Sequence, residues 1–379
     1  MADRIGCLGG GQLGRMLALA GYPLGLTFTF LDPAADAAAG EVGELLVGPY
    51  SDPGCLRRLG LSSDLVTFEF ESVPDSSAQT LAAATAVFPP PQALAVAQDR
   101  LLEKRLFTEL GIACANYTTV NGPEELEAAA RWLSRPARLK SRRLGYDGHG
   151  QAPVAAESEL KQSWRDLDEV PCILEEEVSF ERELSIIGVR SRSGEVAFYP
   201  LTENHHQASV LRLSLAPAPQ AGPGLEAEAQ EICRGIMEKL DYCGVLAVEL
   251  FQVGSRLLAN EIAPRVHNSG HWTQDGALTS QFENHLRAGL GWPLGDTVAR
   301  GHSAMVNILS TMPEPTSLLA IPGVHLHLYG KAARPLRKLG HVNVSGPDPH
   351  LVTDSVSRVG RTLRERLPPP RFEGSFWPG

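Results

Sequence analysis

Read as a string of apolar and polar positions, the chain opens with an apolar run, Arg4–Leu8, and a glycine cluster. A helical stripe from Gln12 to about Ala20 follows, then a second apolar run, Leu26–Leu31, ending at Asp32. Strand, turn, helix and strand in that order predict the βαβ start of a doubly wound α/β domain. Another strand is expected over 62–70, and Pro89-Pro90-Pro91 then interrupts the pattern. Over 98–110, Leu101, Leu102, Leu106 and Leu110 make one helical stripe, which assigns Asp99, Arg100, Glu103 and Lys104 to a solvated face. Beyond Gly111 the runs shorten, with strands expected at 137–140, 172–174 and 183–189 and a polar loop at 202–207. A loop over 216–225 precedes a helix over 226–240, and 281–290 supplies another helix. Short strands at 324–329 and 341–344 end the pattern, separated by proline-rich turns.

Two apolar runs, 245–252 and 257–262, carry the most chemistry. With Gly254, Ser255 and Arg256 as a three-residue hairpin loop, Val253 faces Leu257 and Glu249 faces Glu261. Like charges opposed across a ladder repel unless a cation lies between them. Two carboxylates on a rigid hairpin suit Mg²⁺, although the same pair on a solvated sheet face needs no ligand. The neighbouring Ala247 and Ala259 favour the metal. Pro264 and Gly270 then make 264–271 a loop, so His267 and His271 do not share a helix face, which weakens a zinc reading. Arg265, His267, Asn268 and Ser269 instead gather a guanidinium, an imidazole, an amide and a hydroxyl. That set suits a small oxyanion, with an ordinary polar loop as the alternative.

Other stretches add candidate anion and nucleotide contacts. Gly9, Gly11 and Gly14 match G-x-G-x-x-G, a loop whose amides can approach a phosphate or simply make a tight turn. Glu69 and Glu71 alternate onto one face at a strand end, one free to be structural and the other to line a pocket. Gly145, Gly148 and Gly150, with Lys140, Arg142 and Arg143 at their base, fit a lid over phosphates or a flexible hairpin tip; the spacing is not that of a P-loop. The run Glu175-Glu176-Glu177-Val178 is either solvated or a hinge offering backbone to an adenine. Lys331, Arg334, Arg337, Lys338 and His341 form a basic tail suited to an anionic substrate.

Length and composition narrow the class. The 379 residues suffice for two or three domains. With 34 basic and 44 acidic residues the net charge is −10, which argues against nucleic acid as the main partner. Six scattered cysteines without a C-x-x-C pair read as reduced thiols. Lacking a leader and any apolar run near the ~20 residues of a membrane helix, the chain is expected to be soluble and cytoplasmic, with no membrane partner.

In order along the chain, GGGQLGRM, FEFE, QDRLLEK, LKSRRLGYDGHGQ, FYPLTENHHQ and NEIAPRVHNSGHWTQDGALTSQFENHLRA resemble the N5-carboxyaminoimidazole ribonucleotide synthetase family. The resemblance implies an ATP-grasp fold with an N-terminal doubly wound, Rossmann-like domain and a small C-terminal β-rich domain. It divides the chain into 1–97, 98–178, 179–311 and 312–379. It further implies ATP-dependent carboxylation of aminoimidazole ribonucleotide by bicarbonate, in purine biosynthesis, by a homodimer using Mg²⁺ or Mn²⁺ and no biotin. Arg100 and Lys140 would contact the ATP phosphates, under a lid of Gly145, Tyr146, Asp147, Gly148, His149, Gly150 and Gln151. Glu175, Glu176, Glu177 and Val178 would hold adenine, with Glu183 on the ribose and His206 nearby. Glu249 and Glu261 would bind the metal beside Asn260, and Arg265, His267 and Asn268 would hold bicarbonate. Gln12, Leu13, Glu71, Tyr146, Lys331, Arg337 and Lys338 would place the ribonucleotide. His149 stands where the family usually has Lys or Arg, and Ser72 and Glu203 where some members have histidine.

Four alternatives remain at this level. The related formate-using glycinamide ribonucleotide transformylase shares the fold but resembles S-P-R-P-H-D-T-G where this chain reads APRVHNSG. A nicotinamide oxidoreductase would use only the first glycine loop. A biotin-dependent carboxylase subunit, or a non-catalytic relative, would leave the basic tail or the lid without a purpose.

Overall fold

The computed structural model describes residues 4–132, 136–145 and 149–378. Tyr146, Asp147 and Gly148, three expected lid residues, lie outside them. Among the described residues the strands form three sheets. The first is parallel, with strands β1 (Arg4–Leu8), β2 (Thr27–Asp32), β3 (Glu44–Val47), β4 (Leu65–Phe68) and β5 (Ala86–Val87) in the order β3-β2-β1-β4-β5. The second is antiparallel, β6 (Tyr117–Val120), β7 (Ala137–Ser141), β8 (Gln151–Val154) and β9 (Cys172–Glu176), ordered β6-β9-β7-β8.

The third sheet has nine strands. They are β10 (Arg182–Arg190), β11 (Val196–Phe198), β12 (Thr202–Gln207), β13 (Val210–Ala216), β14 (Gly244–Val253), β15 (Arg256–Ala263), β16 (His302–Leu309), β17 (Val324–Leu328) and β18 (Lys338–Gly346). Their order is β15-β14-β10-β12-β13-β16-β18-β17, with β11 on β10. Residues 202–207, expected as a loop, are therefore a central strand; Thr202, Glu203 and Asn204 are buried and find partners inside the protein. Glu203, fully buried, meets Arg182 at 3.0 Å and Arg371 at 2.5 Å. The expected boundary at 311/312 lies between β16 and β18, which pair in one sheet.

The first glycine loop departs from its sequence pattern. Gly10 N–H donates to Asp32 (2.8 Å), and Gly11, Leu13 and Gly14 N–H all donate to Glu69 (2.9, 3.2 and 3.4 Å). A side chain at Gly9 or Gly11 would come within 2.8 Å of the Glu69 carboxylate. The amides expected to serve an external anion are thus taken by the chain's own carboxylates. This corrects the phosphate reading and leaves the nicotinamide alternative without its motif.

One packed cluster joins the first sheet to the third. Met16, Leu17 and Phe28 from the βαβ start pack with Trp272, Phe282 and Leu286. Helix Gln281–Leu290 sits at this junction; Ser280 caps its start by accepting from Glu283 N–H (3.2 Å), and Gly291, at φ 71°, ends it. Among the described residues no helix is long and apolar enough to cross a membrane.

Candidate active site

A cleft of about 1340 Å³ opens where the three sheets meet. The β14–β15 hairpin forms its floor. Its turn differs from the expected one: Val253 pairs with Arg256 across a two-residue loop, Gly254-Ser255. Leu250 then pairs with Ala259, and that register alone would set Asn260 against Glu249. A bulge at Asn260 adds one residue, so Glu249 faces Glu261 after all. Burial, and then the facing Glu261, push the Glu249 carboxyl up to about 7. Glu261 is only half-buried; partial desolvation would raise it, yet Arg100 at 3.2 Å and Lys140 nearby hold it below the usual carboxylate range.

Among the described residues no group of three or more His, Cys, Asp or Glu is arranged to hold a metal. A cation here would take oxygen from two carboxylates and complete its shell from a substrate, the ligand set of a hard divalent ion. Glu249 and Glu261 face each other and Arg100 contacts only Glu261 of the pair, so the two carboxylates fit such an ion.

The cationic wall comes from helix Arg100–Glu109 and strand β7. Asp99 caps that helix through Leu101 N–H (3.0 Å) and also takes two hydrogen bonds from Arg142 (3.0 and 2.6 Å). Lys140 reaches Glu175 at 2.5 Å and Lys104 reaches its other oxygen at 2.7 Å. Burial alone would raise Glu175, but the two lysines outweigh it and hold the group at about 2. Burial also draws Lys140 below its usual value. Gly145, His149 and Gln151 line the same wall, with Gly150 at φ 70° beside Ser141. The helix face expected to be solvated is buried: Glu103 and Lys104 are each 2 % exposed. A sequence signal existed, because Lys104 lies three residues from both Leu101 and Phe107, on the buried stripe.

The far end of the cleft is a slot. Glu176, Glu177 and Val178 form one edge, and Phe180, stacked on Phe251 at 4.6 Å, forms another. Glu183 and His206 pair at its mouth; burial works against the imidazolium, but Glu183 and Glu249 outweigh it and raise His206. Phe180 was not foreseen from sequence, since a single exposed aromatic after an acidic run has no periodic signature.

Arg265, His267 and Asn268 line the centre of the cleft. Arg265 pairs with Glu71 at 2.8 Å. Gln281, fully buried, accepts from His267 N–H (2.9 Å) and donates to His267 C=O (2.7 Å), which clamps the loop backbone. Asn307 exchanges two hydrogen bonds with Asn268 (3.2 and 2.8 Å). A chain of single protons fixes the His267 ring. Ser214 donates to Asn204 (2.8 Å), Asn204 to Ser185 (2.9 Å) and Ser185 to Ser269 (2.7 Å). The Ser269 hydroxyl, 2.9 Å from His267 Nδ1, has its proton left for that nitrogen. Nε2 therefore carries the ring proton, 3.3 Å from Glu249. Burial, and then Arg265, push the His267 pKa well below the usual value, so the ring is neutral near pH 7.

Gln12, Leu13, Glu71, Lys331, Arg337 and Lys338 bring the first sheet and the basic tail to the remaining wall. Lys331 contacts the Gln12 side chain, and burial draws the lysine below its usual value. Ser72 lines this wall, whereas Glu203 lies outside the cleft.

Comparison with known proteins agrees with this layout. Family models match as a ribonucleotide synthetase preATP-grasp domain over residues 1–98, an ATP-grasp domain over 105–282 and a phosphoribosylaminoimidazole carboxylase C-terminal domain over 303–355. Fold and cleft together define an ATP-grasp ligase. An N5-carboxyaminoimidazole ribonucleotide synthase from Pseudomonas aeruginosa is 48 % identical over 345 residues, 91 % of this chain and 95 % of that one. The crystal structure of the Thermus thermophilus synthetase superposes with a TM-score of 0.92 at 52 % identity, covering 96 % of this chain and 99 % of the other. An Aspergillus clavatus synthase in complex with ADP and 5-aminoimidazole ribonucleotide gives 0.88 at 31 % identity, covering 96 % and 99 %. The chain belongs to the N5-carboxyaminoimidazole ribonucleotide synthase family.

Proposed function

We propose that this chain makes N5-carboxyaminoimidazole ribonucleotide for purine biosynthesis from 5-aminoimidazole ribonucleotide, bicarbonate and ATP, with Mg²⁺ (or Mn²⁺) and without biotin. The observation that carries the reading is the order of groups along one cleft. The cationic wall touches the carboxylate pair through Arg100, the pair touches the oxyanion-type loop through His267, and Arg265 of that loop touches Glu71, all lining one cleft with the acidic and aromatic slot and the basic wall. Adenine lies beside Phe180 against the 175–178 backbone, with its ribose at Glu183 and His206. Arg100 and Lys140 take the phosphates, and residues 145–151 cover them. Glu249 and Glu261 hold the metal, with Asn260 beside them; bound there, the ion neutralises charge on the phosphates.

Arg265, neutral His267 and Asn268 orient bicarbonate, the His267 Nε2–H and the Asn268 amide acting as donors. A bicarbonate oxygen attacks the γ-phosphorus, the bond to ADP breaks, and carboxyphosphate forms. The amine nitrogen of the ribonucleotide then bonds to the carboxyl carbon, directly or through released CO₂, as phosphate leaves and the amine loses a proton. Gln12, Leu13, Glu71, Tyr146, Lys331, Arg337 and Lys338 place that substrate. Fixed dipoles and exclusion of water supply most of the acceleration. We place the active protein in the cytoplasm as a homodimer with domains 1–97, 98–178, 179–311 and 312–379.

Phosphate release from ATP tests this reading. Release that requires bicarbonate, the aminoimidazole nucleotide and Glu261 supports it. Release driven by formate, or indifferent to the nucleotide, contradicts it. Light scattering of the eluted peak tests the dimer.

A further inference from the structure

The position of Glu261 depends on a bulge in the hairpin. With an unbulged register, Glu249 would face Asn260, and Glu261 would turn to the opposite face of the sheet. We propose that Glu103 and Lys104 are positioning residues for the carboxylate pair, clamping this bulge from the two sides of Glu261. Lys104 Nζ donates to the carbonyl of Asn260 at 3.0 Å. Glu103 Oε1 accepts from the N–H of Ile262 at 2.6 Å. The peptide groups just before and just after Glu261 are thus held by neighbouring side chains of one helix.

Both side chains are buried at 2 % exposure, so each bond forms away from competing water. Lys104 is also tied to Glu175, the partner of Lys140, at 2.7 Å. Arg100, one turn earlier on the same helix, contacts the Glu261 carboxylate at 3.2 Å. The N-terminal half of the helix therefore fixes the backbone of Glu261 and touches its side chain. Lys104 and Glu103 touch no reacting atom; they act through the strand. The inference rests on the metal role proposed for Glu249 and Glu261.

Glu103→Leu removes the acceptor for Ile262, whereas Glu103→Gln keeps one. Mn²⁺ binding in the presence of a non-hydrolysable ATP analogue can be followed by the electron paramagnetic resonance of free Mn²⁺. Glu103→Leu is expected to weaken Mn²⁺ at least about tenfold, the scale for lost outer-shell support. Glu103→Gln is expected to retain the wild-type affinity. Hydrogen exchange of the 257–264 peptide should quicken in Glu103→Leu, while that of helix Pro223–Lys239 stays unchanged. Wild-type Mn²⁺ affinity in Glu103→Leu, or exchange that quickens equally in both segments, would overturn the clamp. If Glu103→Leu does not fold, Lys104→Met, which releases Asn260, answers through the same two readouts. Absence of Mn²⁺ binding by the wild-type protein would sink the metal reading, and the exchange measurement would still decide the clamp.

Discussion

Acidification should loosen the junction between the first and third sheets through His285. This ring is fully buried on helix Gln281–Leu290, 4.8 Å from the Phe88 ring. Its Nδ1 accepts from Val245 N–H at 3.1 Å, so in the neutral ring Nε2 carries the proton and donates to Thr67 at 2.9 Å. A second ring proton would turn Nδ1 toward another donor. Burial lowers the His285 pKa from 6.5 to about 3. The folded value lies below the unfolded one, so this stability is complete above pH 6.5 and is lost as the pH falls toward 3. Linkage at 1.36 kcal/mol per unit gives a loss of about 2 kcal/mol between pH 7 and pH 5. Urea unfolding followed by tryptophan fluorescence at pH 7, 6 and 5 measures it. His285→Asn keeps an acceptor for Val245 N–H but cannot titrate, so its stability should fall less over the same range, by that same ~2 kcal/mol. Parallel curves for the two proteins would refute the assignment.

Asn307→Leu breaks the reciprocal amide pair that orients Asn268; kcat/KM for bicarbonate should fall by about 10- to 100-fold, the range of one or two such bonds, with KM for ATP unchanged. A matching loss in ATP affinity would show that Asn307 supports the cleft generally. Gly289→Ala would place a methyl group 2.3 Å from the Phe88 ring. The overpacked junction should cost about 1–3 kcal/mol, read as a lower thermal midpoint; an unchanged midpoint would mean that the sheets separate easily. Trp377, 3 % exposed, donates to the Pro217 carbonyl at 2.7 Å and closes the cluster around β16 and β18. Trp377→Ala should destabilise by about 3–5 kcal/mol in urea titration, and a loss under about 1 kcal/mol would contradict that packing role.

Elements with strong periodicity were legible in the sequence. Helix Gln281–Leu290 has the expected ends, because a serine cap and a closing glycine bracket its apolar stripe. The Glu249–Glu261 opposition was also legible, although a three-residue loop was the wrong reason for it. The turn holds two residues and the bulge restores the register. A bulge held by side chains more than 150 positions away leaves no local trace. Strand β12 was missed because polarity was read as exposure, while Glu203 and Asn204 find their partners inside the protein. The same assumption hid Glu103 and Lys104. The dense run Arg265–Asn268, singled out in the sequence, lies in the cleft, whereas Gln281 and Asn307, which hydrogen-bond to it, carry no motif.

The glycine loop of the first sheet has the glycine spacing of a nucleotide cradle, but its guest is built in. By answering three of its amides, Glu69 converts a receptor into a brace between two parallel strands and a helix. What separates cradle from brace is a single carboxylate on another strand's end, 55 positions past the last glycine. A descendant of this chain that lost that carboxylate would have three amides newly open to a guest. Cofactor binding could then be gained or lost in such folds without any change in the glycines that are taken to announce it.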